Sequence, residues 1–217
     1  MIEELLPRTI ASSEAFGDLD GSLFDEERSA VEKARESRRN EFITGRICAR
    51  RALLQLGESA SAVPVGLRGS PQWPRGVVGS IAHCTGYRVA AVGRTTSFLS
   101  IGLDAEPNEP LPDGIVDSII TRTERERLDR NPDRTVHWDR LTFSAKEAVY
   151  KAWFPITHRW LGWHDVSITF CPHTGAFESM LALELSPGER SLRKLSGRWL
   201  VQRGLVVTAV LIPREAQ

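Results

Sequence analysis

Between Ser100 and Pro107 the chain reads Ser-Ile-Gly-Leu-Asp-Ala-Glu-Pro, an alternation that an extended strand sorts onto two faces. Ile101, Leu103 and Ala105 then share one side, and Asp104 and Glu106 share the other. Further along, Phe143-Ser144-Ala145-Lys146-Glu147-Ala148-Val149-Tyr150-Lys151-Ala152-Trp153 has helical spacing, with Glu147 and Lys151 one turn apart on one face. A strand and a helix that carry carboxylates and a lysine can hold a hard divalent cation and an anionic phosphate together. Magnesium takes a few carboxylates and completes its octahedron with phosphate oxygens and water. The pair of segments therefore predicts phosphoryl-group chemistry. As an exposed i,i+4 ion pair alone, Glu147 and Lys151 would contribute only about 0.2–0.5 kcal/mol.

The remaining punctuation predicts an α+β fold. Residues 28–56 carry a broken apolar stripe that reads as one or two helices, closed by Gly57. Gly66 to Gly76, with Pro71 and Pro74, reads as a loop. Residues 77–82 and 88–92 read as strands about a turn at Thr85-Gly86, and residues 98–106 as a third strand stopped by Pro107. Residues 107–114, rich in proline, form the expected linker between an N-terminal half, 1–106, and a C-terminal half, 115–217. In the second half, residues 115–120 and 123–128 look helical, with Thr123-x-x-Glu126 as a capping box. Residues 139–154 form the expected central helix, ended by Pro155. Strand character returns at 166–170, 180–185, 199–202 and 205–211, so each half reads as helix followed by strands.

At 217 residues the chain can bury a substantial core, and its formal net charge of zero gives no global pull toward nucleic acid or an acidic membrane. The charge is uneven, however. Residues 1–27 are acidic, with Arg8 as the one cation, whereas 28–51 are basic, which suits a small polyanion better than a duplex. Cys48, Cys84 and Cys171 are scattered and form no C-x-x-C pair, so neither a disulfide framework nor a structural zinc site is indicated. No signal-peptide pattern and no membrane-length apolar run is read, which makes the cytoplasm the expected location.

The strand and helix motifs resemble the signature of the phosphopantetheinyl transferases, (V/I)G(I/V)D followed by (F/W)xxKE(A/S)xxK. Here these are Ile101-Gly102-Leu103-Asp104 and Phe143 through Lys151. Arg38-Arg39-Asn40-Glu41-Phe42 with Gly45-Arg46 resembles the arginine-bearing helix of the larger, surfactin-type members. Gly69-Ser70-Pro71 with Trp73-Pro74 resembles their (G/K)xP loop, and Gly79 through His83 their strand ending in S-x-(S/T)-H. The run Ala152-Trp153-Phe154-Pro155 through Arg159-Trp160-Leu161-Gly162 is most similar to the actinobacterial and enterobactin-type branch.

The resemblance implies two similar halves packed side by side about a pseudo-twofold axis, with the active site in the cleft between them. It implies transfer of 4′-phosphopantetheine from coenzyme A to a serine of apo acyl or peptidyl carrier proteins of polyketide, fatty-acid or nonribosomal-peptide synthesis. Adenosine 3′,5′-bisphosphate would be released by a monomer that uses magnesium, with manganese as the alternative ion. Asp104 and Glu106 would bind the metal. Glu147 would be its third ligand, the base for the serine proton, or both in succession, and Lys151 would hold the pyrophosphate. Arg38, Arg46 and His83 match the family's phosphate-binding positions, and Arg68 the basic residue beside the adenine. Lys146 is expected at a phosphate edge or in a surface ion pair, and Arg39, Arg50 and Arg51 at the surface. Trp153, Trp160, Trp163 and Tyr150 are read chiefly as core, with a pantetheine slot as the alternative. Residues 115–134, with Ile119, Ile120 and several arginines, are the candidate carrier-docking element. Two rival readings share the same residues: a metal-dependent phosphohydrolase of coenzyme A or a nucleotide, and a non-catalytic module that binds carrier protein or coenzyme A.

Overall fold

The computed structural model describes residues 1–131 and 133–214. The first part of the chain supplies β1 (Ala11–Phe16), α1 (Asp25–Arg28), α2 (Glu36–Gln55), β2 (Val77–Cys84), β3 (Tyr87–Arg94) and β4 (Phe98–Pro107). After an irregular stretch come α3 (Val116–Ile119), α4 (Arg122–Leu128) and α5 (Trp138–Thr157). The chain then completes β5 (Val166–Cys171), β6 (Ala176–Leu181), β7 (Lys194–Gln202) and β8 (Leu205–Pro213). Two antiparallel sheets result, one in the order β1-β3-β2 and one in the order β4-β8-β7-β6-β5.

Each sheet carries one long helix, and small residues set how closely it lies. Cys48, Ala49, Ala52 and Leu53 of α2 pack on Ala15, Val77, Ala90 and Val92 of the three-stranded sheet. Ala145, Ala148, Val149, Ala152 and Trp153 of α5 pack with Val166, Ile168, Phe177, Val210 and Ile212 of the five-stranded sheet. This repeated plan, a 20-residue helix over an antiparallel sheet, is the α+β architecture of two similar halves.

β4 stands where the halves meet. Ile101, Leu103 and Ala105 are fully buried on one face, in a cluster with Ala82, Val89 and Ala91 of the first sheet. The Leu103 N–H donates to Ser80 Oγ of β2 at 3.0 Å, which pins the two sheets together. Along its edge β4 pairs with β8, from Ile101 opposite Leu211 to Pro107 opposite Leu205. The strand of the expected N-terminal half thus hydrogen-bonds into the sheet of the C-terminal half.

Several elements depart from expectation. β1 was not foreseen: Ala-Ser-Ser-Glu-Ala-Phe has few strand-forming residues and owes its conformation to pairing with β3. The cap of α4 is Thr121 with Glu124, whose backbone N–H donates to Thr121 Oγ1 at 3.3 Å. Both Thr-x-x-Glu frames exist in the sequence, and burial of Glu124 selects this one rather than Thr123 with Glu126. α5 runs through Pro155 to Thr157, because a proline in the last turn forfeits one hydrogen bond while His158, at φ 53°, closes the helix. The strand expected over 180–185 lies earlier, at β6, where Gly175 makes the turn from β5 at φ 63°. Arg50 is not a surface residue: its guanidinium pairs at 2.9 Å with Glu27, which is fully buried.

Candidate active site

The face of β4 opposite its core side turns toward α5, and a glycine allows the approach. A Cβ at Gly102 would lie 1.9 Å from the Ala148 carbonyl oxygen and 2.7 Å from the Ala152 nitrogen. Two residues beyond, Asp104 is therefore within reach of Lys151: its Oδ1 accepts from Lys151 Nζ at 2.7 Å. The other oxygen, Oδ2, is buried without a hydrogen-bond partner. Beneath the site, the Thr208 hydroxyl of β8 lies 2.9 Å from Ser144 Oγ, and it donates to the Ser144 carbonyl oxygen at 3.0 Å.

Glu106, two residues further along the same face, is engaged by a residue the sequence reading did not single out. Arg140 Nη1 donates to Glu106 Oε2 at 2.9 Å, and the same guanidinium donates to the carbonyl oxygens of Glu109 and Pro110. Arg140, Glu147 and Lys151 follow one another along one face of α5, so helical spacing was the signal available for finding it. In this arrangement Lys151 and Arg140 occupy Asp104 and Glu106. Among the described residues, no three His, Cys, Asp or Glu side chains gather as a metal-binding cluster.

The electrostatics nevertheless suit a cation. Burial raises the Asp104 carboxyl, with the Lys151 ammonium pulling the other way. Burial and the neighbouring Asp104 charge push Glu106 up to about 7, and the same two causes raise Glu147. Burial alone would lower Lys151, but Asp104 overrides it and holds the ammonium above its ordinary value. Mutually repelling, desolvated carboxylates with one unpartnered oxygen are a donor set that a divalent ion would satisfy.

Glu147 and Lys151 line a cavity of about 560 Å³, shared with Arg68, Trp73, Tyr150, Phe154 and His158. Adjoining it across Gly69, Pro71 and Ile81 is a second cavity of about 330 Å³, walled by Arg38, Glu41, Phe42, Arg46 and His83. Arg38 Nη1 lies 2.8 Å from His83 Nε2; since a guanidinium has no acceptor, the imidazole accepts there and is neutral at that nitrogen. Burial and the Arg38 charge lower His83 to about 4. Arg46 is buried over the Phe42 ring, 4.1 Å from its centroid, with Nε unpartnered, and burial lowers it to about 10.

The structure thus brings Glu147 and Lys151 to one cavity wall, with Asp104 behind it on Lys151, and Arg38, Arg46 and His83 to the next; Glu106 lines neither cavity. Arg68 stands on the larger cavity, at φ 53°, with its guanidinium 5.2 Å from the Trp160 ring centroid. Trp153 is fully buried core, Trp163 packs on Phe143, and Trp160 is exposed.

Lys146 requires a correction. It is buried rather than at a phosphate edge or the surface, and Nζ donates to the Ile119 and Trp163 carbonyls and to Glu124 Oε2, each at 2.8 Å. Three acceptors match the three ammonium protons, which is how a charge is tolerated there. The tie joins α5 to the segment of α3 and α4, the candidate docking element; Pro132 of that element lies outside the described residues.

A strand-borne pair of carboxylates facing a Glu and Lys helix, beside a cationic cavity, defines a phosphoryl-transfer type of site. The model of the 4′-phosphopantetheinyl transferase N-terminal domain matches residues 26–93, and that of the 4′-phosphopantetheinyl transferase superfamily matches residues 100–206. The chain is 44% identical to the 4′-phosphopantetheinyl transferase PptT of Mycobacterium tuberculosis, over 98% of each chain. It is equally 44% identical to 4′-phosphopantetheinyl transferase Npt of Nocardia iowensis, over 97% of this chain and 99% of that one. Enterobactin synthase component D of Salmonella typhi is 34% identical over 62% of this chain and 59% of its own. The chain belongs to the 4′-phosphopantetheinyl transferase superfamily.

Proposed function

We propose that this protein transfers 4′-phosphopantetheine from coenzyme A to a serine hydroxyl of apo acyl or peptidyl carrier proteins and releases adenosine 3′,5′-bisphosphate. The observation that carries this reading is the pair of adjoining cavities, one walled by Arg38, Arg46 and His83 and the other by Glu147 and Lys151. Coenzyme A has a phosphate-bearing nucleotide end and a pyrophosphate joined to a long arm, and it needs both. Under this reading Arg38, Arg46 and His83 hold the 3′-phosphate end, and Lys151 holds the pyrophosphate as a point charge. Arg68, over Trp160, borders the larger cavity, where it would meet coenzyme A.

Glu147 takes the serine proton. Its raised pKa, from burial and the Asp104 charge, suits a base that must release the proton again. The serine oxygen bonds to the β-phosphorus, the bond to the bridging oxygen breaks, and Lys151 stabilises the charge on the departing bisphosphate. Asp104 and Glu106, with Glu147 as a third donor, are the residues that would hold magnesium. When bound, the ion would supply charge neutralisation at the pyrophosphate. Lys151 pairs with Asp104 and Arg140 with Glu106.

The division we favour is an N-terminal half over 1–106 and a C-terminal half over 115–217, with 107–114 between, and β4 serving both. Among the described residues no helix is long and apolar enough to cross a membrane. On the family resemblance we read the protein as a cytoplasmic monomer.

The test is intact-mass spectrometry of an apo carrier incubated with the protein, coenzyme A and magnesium. A gain of one phosphopantetheine, abolished by Glu147→Gln or by chelation, is the expected result. Cleavage of coenzyme A without modification of any carrier would make the protein a phosphohydrolase, and neither reaction would leave a binding module.

A further inference from the structure

Two carboxylates, Glu26 and Glu41, line the smaller cavity where a phosphate site calls for cations, and Glu41 is the one that meets them. Glu41 lies one turn after Arg38 on α2, and its Oε2 accepts from Arg38 Nη1 at 3.2 Å. The same oxygen is 3.8 Å from His83 Nδ1, the ring nitrogen opposite the one that meets Arg38. Its other oxygen, Oε1, faces Arg88 Nη2 at 3.9 Å. Arg88 is itself buried and held in place by Asp18 at 2.8 Å and by the Cys84 carbonyl at 3.3 Å. Glu41 therefore has a buried cation behind it while it engages, from the front, the residues that would meet a phosphate. Its side chain is 24% exposed, less than that of Arg38 at 48%, so Arg38 is the freer of the two to leave the pair.

We infer that Glu41 is a competing anion that sets how tightly the 3′-phosphate of the nucleotide is held, weakening it enough for the bisphosphate product to leave. The inference rests on the reading of Arg38 and His83 as the receivers of that phosphate. A phosphate drawn to Arg38 and His83 must displace Glu41 from Arg38 and then sit beside a carboxylate that Arg88 attracts from behind. Both effects cost binding energy only for ligands that carry the 3′-phosphate. The carboxylate also lowers repulsion among Arg38, Arg46 and Arg88 before the ligand arrives, which explains why the position is not simply apolar. In this view the cavity is built for exchange rather than for the tightest hold. A group bound to substrate and product alike raises affinity for both, and only its absence from the transition state's needs lets it be weakened without loss of rate.

The experiment is calorimetric titration of the wild-type protein, Glu41→Gln, Glu41→Asp and Arg38→Met with adenosine 3′,5′-bisphosphate and with adenosine 5′-monophosphate, which lacks the 3′-phosphate. Glu41→Gln is expected to bind the bisphosphate about fivefold tighter, on the scale of a partly exposed ion pair plus a removed like charge, and the monophosphate unchanged. Glu41→Asp keeps the charge and should keep the wild-type preference, which separates charge from shape. Bisphosphate binding that is unchanged or weaker in Glu41→Gln overturns the inference, provided Arg38→Met has lost the wild-type preference for the bisphosphate. If Arg38→Met retains that preference, the phosphate lies elsewhere, and the underlying reading fails instead. In turnover, Glu41→Gln should lower KM for coenzyme A and kcat together; a lowered kcat with raised KM would mark a merely structural role and overturn the inference.

Discussion

Gly102→Ala is the substitution that most directly probes how the carboxylate strand is seated against α5. The added methyl would lie 1.9 Å from the Ala148 carbonyl oxygen and 2.7 Å from the Ala152 nitrogen, both backbone atoms that no rotamer change can move. Restoring ordinary contact requires the helix to retreat by roughly 1.5 Å, in an interior packed too densely to absorb it locally. Overpacking of this kind costs about 1–3 kcal/mol, and a contact with backbone on both sides puts Gly102→Ala at about 3 kcal/mol. The retreat also pulls Glu147 and Lys151 away from β4, stretching the 2.7 Å contact between Lys151 and Asp104. A displacement of about 1 Å at reacting groups typically costs around a hundredfold in rate. Urea denaturation should therefore show a lowered midpoint, and carrier modification, measured where the variant is fully folded, a kcat reduced about a hundredfold. A variant whose midpoint and kcat match the wild type would refute the close seating of α5 on β4.

Other perturbations test separate parts. Lys146→Met leaves Glu124 buried without its counter-ion and should lower stability by about 3–5 kcal/mol, read from thermal or urea melts, with Glu124→Gln added in the same chain restoring part of it. His83 is lowered from 6.5 to about 4 in the folded protein, so the unfolded chain takes up its proton first as the solution is acidified. Its contribution is present above pH 6.5 and is lost as pH falls toward 4; at 38% exposure it amounts to less than ~1 kcal/mol, and His83→Gln should flatten that part of the stability profile. Charge reversal at Arg122, whose side chain is 93% exposed, together with Arg125 should raise KM for the carrier while leaving coenzyme A affinity unchanged; unaltered carrier kinetics would remove the α3–α4 segment as docking element.

What could be read ahead of the structure depended on periodicity. The alternation through Ile101, Leu103 and Ala105 placed Asp104 and Glu106 on one face, and the i,i+4 spacing joined Glu147 to Lys151, because both patterns are local. Local pattern says nothing about partners far along the chain. It left β1 unseen, since Ser12 and Ser13 acquire strand geometry from Ala91 and Ala90 of β3. It gave no warning that Arg140 would take Glu106, or that Lys146 would be buried against Glu124 and the Ile119 and Trp163 carbonyls. The competing Thr-x-x-Glu frames at 121 and 123 were locally equivalent, and only the distant Lys146 and the Ile168 N–H, which donates to Glu124 Oε1 at 2.8 Å, decide between them.

The pairing of β4 with β8 has a consequence for the order of events on the ribosome. Asp104 pairs with Thr208 and Glu106 with Val206, so the acidic strand emerges about one hundred residues before the strand that completes its edge. At translation speeds of about 5–20 residues per second, that interval is on the order of 5–20 s. The three-stranded sheet and α2, with Arg38, Arg46 and His83, need no residue beyond β3 for their own pairing and can form within it. A growing chain can thus assemble the cations of the smaller cavity while the proposed catalytic wall still lacks the support of β8. On the proposed reading, reactivity toward coenzyme A waits for β8.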